Sequence, residues 1–113
     1  MSRSAISEAT APKQVVAAAK RLGSSIRTAR LRRRIRLQDL AAHAGITVPT
    51  LRRVESGALG TGLGAYVATL WALGLDDDLA SVADPAQDVE GQTLEAASRG
   101  ERVRVTDRLP DDF

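Results

Sequence analysis

The segment RLQDLAAHAGITVPTLRRVESG, from Arg36 to Gly57, decides the fold of this chain. Its first part has small and aliphatic residues at helical spacing, which predicts a short helix over residues 37–44. Gly45 ends that helix, because glycine adopts the left-handed conformation that a tight turn needs. Thr47 then caps a second helix that continues to Ser56. The segment therefore predicts two short helices joined by a tight glycine turn.

Hydrophobic periodicity extends the helical pattern on both sides of this segment. Before it, apolar residues recur from Val15 to Ala29, and Pro12 suits the first turn of a helix. The triplet at residues 23–25, Gly-Ser-Ser, marks either a kink or the start of a second helix that runs to about Arg34. After the segment, residues 58–62 form a connection, and a last short helix is expected over residues 76–82. Between these two lies a further helix whose predicted core face consists of Leu63, Tyr66, Val67, Leu70 and Leu73.

Composition excludes several classes of protein. The 113 residues are 43% hydrophobic but only 3% aromatic, and they include no cysteine. Disulfides and cysteine-based zinc sites are therefore excluded, and a reducing cytoplasm suits the chain. The single histidine, His43, cannot form a metal site alone, and no Ser, Cys or carboxylate arrangement accompanies it. No apolar run approaches the roughly 20 residues of a membrane span, and the N-terminus lacks a secretion signal. We expect an intracellular protein that is not an enzyme and needs no cofactor.

Charge is distributed very unevenly along the chain. Residues 1–60 carry twelve Lys or Arg against three Asp or Glu, a net charge of +9. Residues 61–113 carry four against eleven, a net charge of −7. The basic half indicates a surface that faces a polyanion, and the acidic half indicates a second surface with another use. The alternative is two solvated faces without a partner.

Three regions follow from these patterns. Residues 1–11 are small and polar and predict a mobile arm. Residues 12–84 predict a compact all-α domain of five helices. Residues 85–113 predict an acidic tail, because Asp84-Pro85 disfavours helix and fewer large apolar residues follow. Within this tail, residues 92–98 suit a helix and the alternation at 102–106 predicts a short strand. A disordered, solubilising tail is the alternative.

The two short helices and their turn form a helix-turn-helix arrangement, in which the N-terminus of the second helix reaches base edges in the major groove. The chain here resembles the Xre/Cro family of repressors, whose domain is the lambda-repressor-like fold. The resemblance rests on IRTAR at 26–30, LAAHAGIT at 40–47, LRRVESG at 51–57 and ALGL at 72–75. It implies a sequence-specific DNA-binding protein.

The resemblance also implies roles for individual residues of the second helix. Thr47 would cap it, and the positions that read bases are Val48, Pro49, Thr50 and Arg53. Among them Arg53 is the strongest candidate, because a guanidinium can bond both O6 and N7 of guanine. Val48 and the Pro49 ring offer apolar contact to a thymine methyl group, while Arg52 is expected to meet a phosphate.

Two further features concern the arginines before and within the motif. The resemblance implies a buried ion pair between Arg30 and Glu55 that ties the first helix to the recognition helix. The remaining arginines of the run Arg30–Arg36 are candidates for phosphate contacts. The chain departs from the family at the start of the motif, where Arg36 and Leu37 replace the usual Ser or Thr and Gln. In the family, that Gln contacts the DNA backbone, and Arg36 and Gln38 are the candidates to make this contact here.

The rest of the resemblance concerns association. A single recognition helix makes few contacts, so we expect a homodimer on a palindromic operator. Residues 62–76 and the acidic tail resemble the HipB-type antitoxins, which repress their own operon and hold a HipA-type kinase toxin inactive. A plain Xre-type regulator without a toxin is the alternative. A lone tail strand needs a partner, which is either the same strand of the dimer mate or an exposed edge of a bound toxin. The HipB resemblance implies the first. The candidate interface residues are Trp71, Val103, Val105, Leu109 and Phe113.

Overall fold

The chain folds into five α-helices and one 3-10 helix over the residues that the computed structural model describes, which are 6–105 for the backbone and 6–99 for the side chains. The elements are α1 (Lys13–Arg32), α2 (Leu37–Ala44), α3 (Val48–Glu55), α4 (Leu63–Ala72), the 3-10 helix (Asp76–Ser81) and α5 (Val89–Val105). The chain divides into two compact units between Asp77 and Asp78, with α1–α4 in the first and α5 in the second. The all-α fold class predicted from the sequence is confirmed.

Helix α3 lies at the centre of the first unit and packs against α1, α2 and α4. Its residues Leu51 and Val54 are completely excluded from solvent, and Ile26 of α1 and Leu40 of α2 are 1% exposed. Isolated helices shorter than about 12 residues are marginal in water. The eight-residue α3 therefore owes its stability to this burial.

Each of the four helices of the first unit is followed within two residues by a residue with left-handed backbone geometry, and these residues are Arg34, Gly45, Gly57 and Gly74. At the end of α1, for example, the N–H of Ile35 donates to Arg30 O and the N–H of Arg34 donates to Leu31 O. This arrangement satisfies carbonyls that the helix end leaves without partners. The chain reverses sharply after each helix, so short connections suffice to bring α1, α2 and α3 together.

The interruption predicted at residues 23–25 does not exist, because α1 runs unbroken through Gly23. The glycine has a packing role instead. A Cβ atom at Gly23 would lie 2.5 Å from Gly57 N and 2.6 Å from Val54 O. Gly57 in turn approaches the backbone of Ala19 and Lys20 so closely that it has no room for a side chain either. The two glycines let α1 cross the end of α3 with backbone against backbone.

The core face predicted for α4 needs one correction and one addition. Leu63, expected on the core face, is 74% exposed, whereas Tyr66, Leu70 and Leu73 are buried as predicted. Leu63 is the first residue of the helix and lies at the edge of the core. Thr69, which the apolar pattern misses, is completely buried, and its hydroxyl donates to Ala65 O at 2.8 Å. This bond within the helix lets a polar side chain occupy the core.

Tyr66 links α4 to the preceding connection. Its hydroxyl donates to Ala58 O at 2.7 Å, and burial raises the pKa of that hydroxyl above its usual value. The phenol is protonated at neutral pH in any case, and burial extends the pH range over which it can donate. The bond holds residue 58, just past the end of α3, against the start of α4.

The described residues near the two ends of the chain include a turn and one correction to the sequence-based expectation. Residues 6–11 of the predicted mobile arm form a turn, in which the N–H of Ala11 donates to Ser7 O, and Glu8 pairs with Lys20 at 2.6 Å. The strand predicted at 102–106 is wrong, because residues 102–105 continue α5. A helix satisfies its backbone groups within the segment, whereas a lone strand needs a partner strand. The alternating pattern at residues 102–105 is too short to stabilise a strand, and these residues extend the helix that precedes them.

The close crossing at Gly23 gives the first prediction. Gly23→Ala should lower the free energy of unfolding by about 1–3 kcal/mol, because the added methyl group meets backbone atoms that cannot move aside. Gly64→Ala is the matched control, since nothing lies within 4 Å of its Cβ position in α4. That change should be neutral or stabilising by up to about 1 kcal/mol. Denaturant unfolding followed by circular dichroism measures both, and equal effects would contradict the packing role of Gly23.

Candidate nucleic-acid interface

The N-terminus of α3 has the geometry of a capped, outward-facing helix. Thr47 precedes the helix, and its hydroxyl oxygen accepts from Thr50 N at 3.3 Å. Pro49 stands in the first turn, where its missing N–H costs little. Because Leu51 and Val54 anchor one side of α3 in the core, the other side faces solvent. The fold thus presents a short helix with its first turn free to contact another molecule.

The residues of α3 and its cap that the sequence analysis proposed to contact DNA lie on this free side. Thr47, Pro49, Arg52 and Arg53 are exposed, and Val48 and Thr50 are half-buried. No described acidic residue forms an ion pair with Arg52 or Arg53. The exposed part of α3 therefore carries two guanidinium groups without a neutralising carboxylate.

A short hydrogen-bond network orders three of these side chains. The hydroxyl of Thr47 donates to Thr50 Oγ1 at 3.0 Å, and Nη2 of Arg53 donates to the same oxygen at 3.2 Å. Through this bond the Arg53 side chain lies back along the first turns of α3. One N–H group of its guanidinium is used in this way, and the others remain available for acceptors elsewhere. The sequence does not reveal this network, although the spacing of three residues places all three side chains on one helix face.

The Arg30–Glu55 ion pair joins α1 to α3. Nε of Arg30 contacts Oε2 of Glu55 at 2.6 Å, and Nη2 donates to Oε1 at 3.1 Å. The remaining terminal nitrogen, Nη1, donates to Ile35 O at 3.0 Å. The side chains are only 10% and 7% exposed, respectively. The planar guanidinium therefore links three elements at once, namely α1, the α1–α2 turn and α3.

Two other arginines of the run at 30–36 have partners within the chain. Arg33 turns back on α1, where its Nη1 donates to Ala29 O at 2.9 Å. Arg36 pairs with Asp39 at 3.2 Å, with both side chains largely exposed. Gln38 is exposed beside them. Arg36 is the N-cap residue of α2, and no side chain caps that helix end. Arg36 is thus partly neutralised before any phosphate approaches it.

The predicted interface residues fall in different places. Trp71 is 55% exposed on α4, and its ring stacks on His43 of α2 with centroids 5.2 Å apart. This stack joins residues 28 positions apart in the chain and has no sequence signal. Val103 and Val105 lie in the backbone of α5, beyond the described side chains. Leu109 and Phe113 lie outside the described residues.

Other kinds of site have no representative in the described part of the chain. Its His, Asp and Glu residues include no group of three that could hold a metal ion. None of its helices is both long enough and apolar enough to cross a membrane.

The ion pair gives the second prediction. Glu55→Ala should lower the free energy of unfolding by about 3–5 kcal/mol, because it leaves the guanidinium of Arg30 buried without its partner. Asp39→Ala is the control, since it also removes a carboxylate from an arginine but at an exposed pair, where about 0–1 kcal/mol is expected. Thermal melting compares the two variants. Similar small losses would show that the interior pair does not hold α1 to α3.

Comparison with known proteins agrees with this geometry. A family model described as a helix-turn-helix domain matches residues 21–82. Neither the curated proteins nor the solved structures contain a match to the chain. The matched residues make up more than half of the sequence and include α2, α3, α4 and most of α1. The chain therefore belongs to the helix-turn-helix domain family.

Proposed function

We propose that this protein is a sequence-specific DNA-binding transcription repressor. The observation that carries the proposal is the free first turn of α3, with the guanidinium of Arg53 held beside it by Thr50. The family match supports this use, because a helix-turn-helix places its second helix in the major groove. The surplus of positive charge in residues 1–60 supports it independently, since counterion release from DNA favours such a surface.

Within the groove, the residues of α3 have different roles. Arg53 reads guanine through O6 and N7, and its bond to Thr50 reduces the side-chain entropy lost on binding. Val48 and Pro49 contact a thymine methyl group, and Thr50 lies at the same surface. Arg52 contacts the phosphate backbone and positions the helix without reading sequence. Arg36 and Gln38, at the start of α2, are additional backbone contacts.

The protein acts as a homodimer on a palindromic operator. Two copies place two recognition helices about 34 Å apart, which matches successive major grooves on one side of B-DNA. Trp71 is the anchor of the interface on the first unit, because a large, half-exposed aromatic ring loses much unfavourable hydration when it is covered. The acidic residues 85–113 serve association rather than DNA contact, since phosphates repel them.

The finer proposal is that the repressor is the antitoxin of a HipBA-type pair, which neutralises a kinase toxin. Residues 62–76 and the acidic composition of the tail favour it. The alternative is an Xre-type regulator without a toxin. A kinase-like reading frame next to the gene, and a kinase that purifies together with this chain from its host, would distinguish the first from the second.

Substitution of Arg53 tests the proposed function. Duplexes are first selected by the unaltered chain from a randomised pool. Arg53→Ala should weaken binding to the selected duplex by about 1–3 kcal/mol and lose the preference at one base pair. Arg52→Ala is the matched control, which should weaken selected and unrelated duplexes by the same factor. Gel-shift titration measures both. A failure to enrich any sequence, or an unchanged preference with Arg53→Ala, would contradict the proposal.

Trp71 allows a direct test of the dimer because it is the only tryptophan in the chain. Its fluorescence should shift to shorter wavelength as the protein concentration rises, since a dimer excludes water from the ring. Trp71→Ala should weaken self-association by about 2 kcal/mol or more. Leu31→Ala removes another half-exposed apolar side chain, from α1, and should have no effect. A monomer mass in sedimentation, with and without the selected duplex, would count against the dimer.

A further inference from the structure

A cleft beside the recognition helix contains arginines that base reading does not use. It lies between α1, the start of α2 and the C-terminal half of α3, and its lining residues are Arg27, Arg30, Leu37, Arg52, Glu55 and Ser56. Three guanidinium groups and one carboxylate therefore share this cleft. Arg27 has no part in the core, because its side chain is exposed on α1.

The charges of the cleft do not cancel. Arg30 and Glu55 neutralise each other, because both carboxylate oxygens of Glu55 accept hydrogen bonds from Arg30. Neither Arg27 nor Arg52 has an ion-pair partner or a side-chain hydrogen bond among the described residues. The cleft is thus lined by two guanidinium groups without a partner, and its carboxylate, that of Glu55, is already paired with Arg30. Such a site attracts an anion with several acceptor oxygens, because each guanidinium offers a rigid fork of donors.

We propose that this cleft binds a DNA backbone phosphate, held between Arg27 of α1 and Arg52 of α3. The inference rests on the proposed DNA binding and extends it from the motif to α1. Arg52 directly follows the buried Leu51 and precedes Arg53, so it lies on the flank of α3. A helix about 10–12 Å across nearly fills the major groove, and its flank then faces the phosphates that border the groove. The open side of the cleft meets the backbone there.

The nearly buried ion pair of Arg30 and Glu55 lies among the residues that line the cleft. Arg30 and Glu55 hold α1 and α3 together at the point where Arg27 and Arg52 stand on either side. The two free guanidinium groups are therefore carried by helices that this ion pair joins directly. A phosphate bound between them fixes the angle at which α3 enters the groove, independently of the base sequence.

The test measures how duplex binding depends on salt. For an unrelated 30-base-pair duplex, the slope of log affinity against log salt concentration should become shallower by about one with Arg27→Ala. Arg27→Lys keeps the charge and should keep the slope. Arg21→Ala is the matched control, because it removes an exposed arginine from the same helix outside the cleft. Arg27→Gln serves as a second neutral variant, and thermal melting checks that each variant is folded.

A second arm separates the cleft from the base-reading residues. Arg27→Ala should weaken binding to the selected duplex and to the unrelated duplex by the same factor, so that their affinity ratio is unchanged. If Arg27→Ala and Arg21→Ala change the slope equally, or neither changes it, the phosphate site is overturned while the proposed function stands. If the unaltered chain binds neither duplex even at low salt, the proposed function fails and this inference with it.

Discussion

The buried ion pair between Arg30 and Glu55 is the interaction on which the rest of the first unit depends. One guanidinium bonds a carboxylate at the last residue of α3 and a carbonyl in the turn that leads into α2. Without these bonds the nearly buried side chains of Arg30 and Glu55 would be charged groups without compensation. The three bonds can form together only when α1, the α1–α2 turn and α3 have one relative arrangement. The pair therefore selects that arrangement, whatever its net contribution to stability.

The close crossing of α1 and α3 lets this selection work. Side chains at Gly23 or Gly57 would push the two helices apart and separate Arg30 from Glu55, since both glycines lie against backbone. Along α1, Gly23 and Arg30 are seven residues apart and lie on the same helix face. The glycine contact and the ion pair thus act on the same seam between α1 and α3. The close backbone contact at Gly23 brings the helices near enough for Arg30 and Glu55 to pair.

The sequence predicts the parts of this fold that follow from local chemistry. The bounds of α2, the left-handed Gly45 and the cap at Thr47 all depend on residues within a few positions of each other. Local rules fail where a distant segment decides. Gly23 indicates a break when read alone, but α3 packs against it and turns it into a contact point. The stack of His43 on Trp71 and the burial of Thr69 likewise depend on which helices meet.

The same distinction between local and distant contacts applies to the candidate site. The sequence predicts which residues lie on α3, because helix periodicity fixes which side chains can be buried and which remain outside. It does not predict that Thr50 holds Arg53, nor that Arg27 from α1 shares a cleft with Arg52. Both depend on side-chain direction and on the packing of α1 against α3. A run of similar arginines cannot reveal by composition which of them is structural and which is free.

The fold separates what stabilises α3 from what α3 presents. Leu51, Val54 and Glu55 face inward and hold the helix by burial and by the ion pair. Pro49, Arg52 and Arg53 are exposed and are not part of the core. Because α3 is too short to be stable alone, its conformation is set by the inward residues and by the cap. The outward residues can therefore change without loss of the fold, so that one scaffold can present different reading surfaces to DNA.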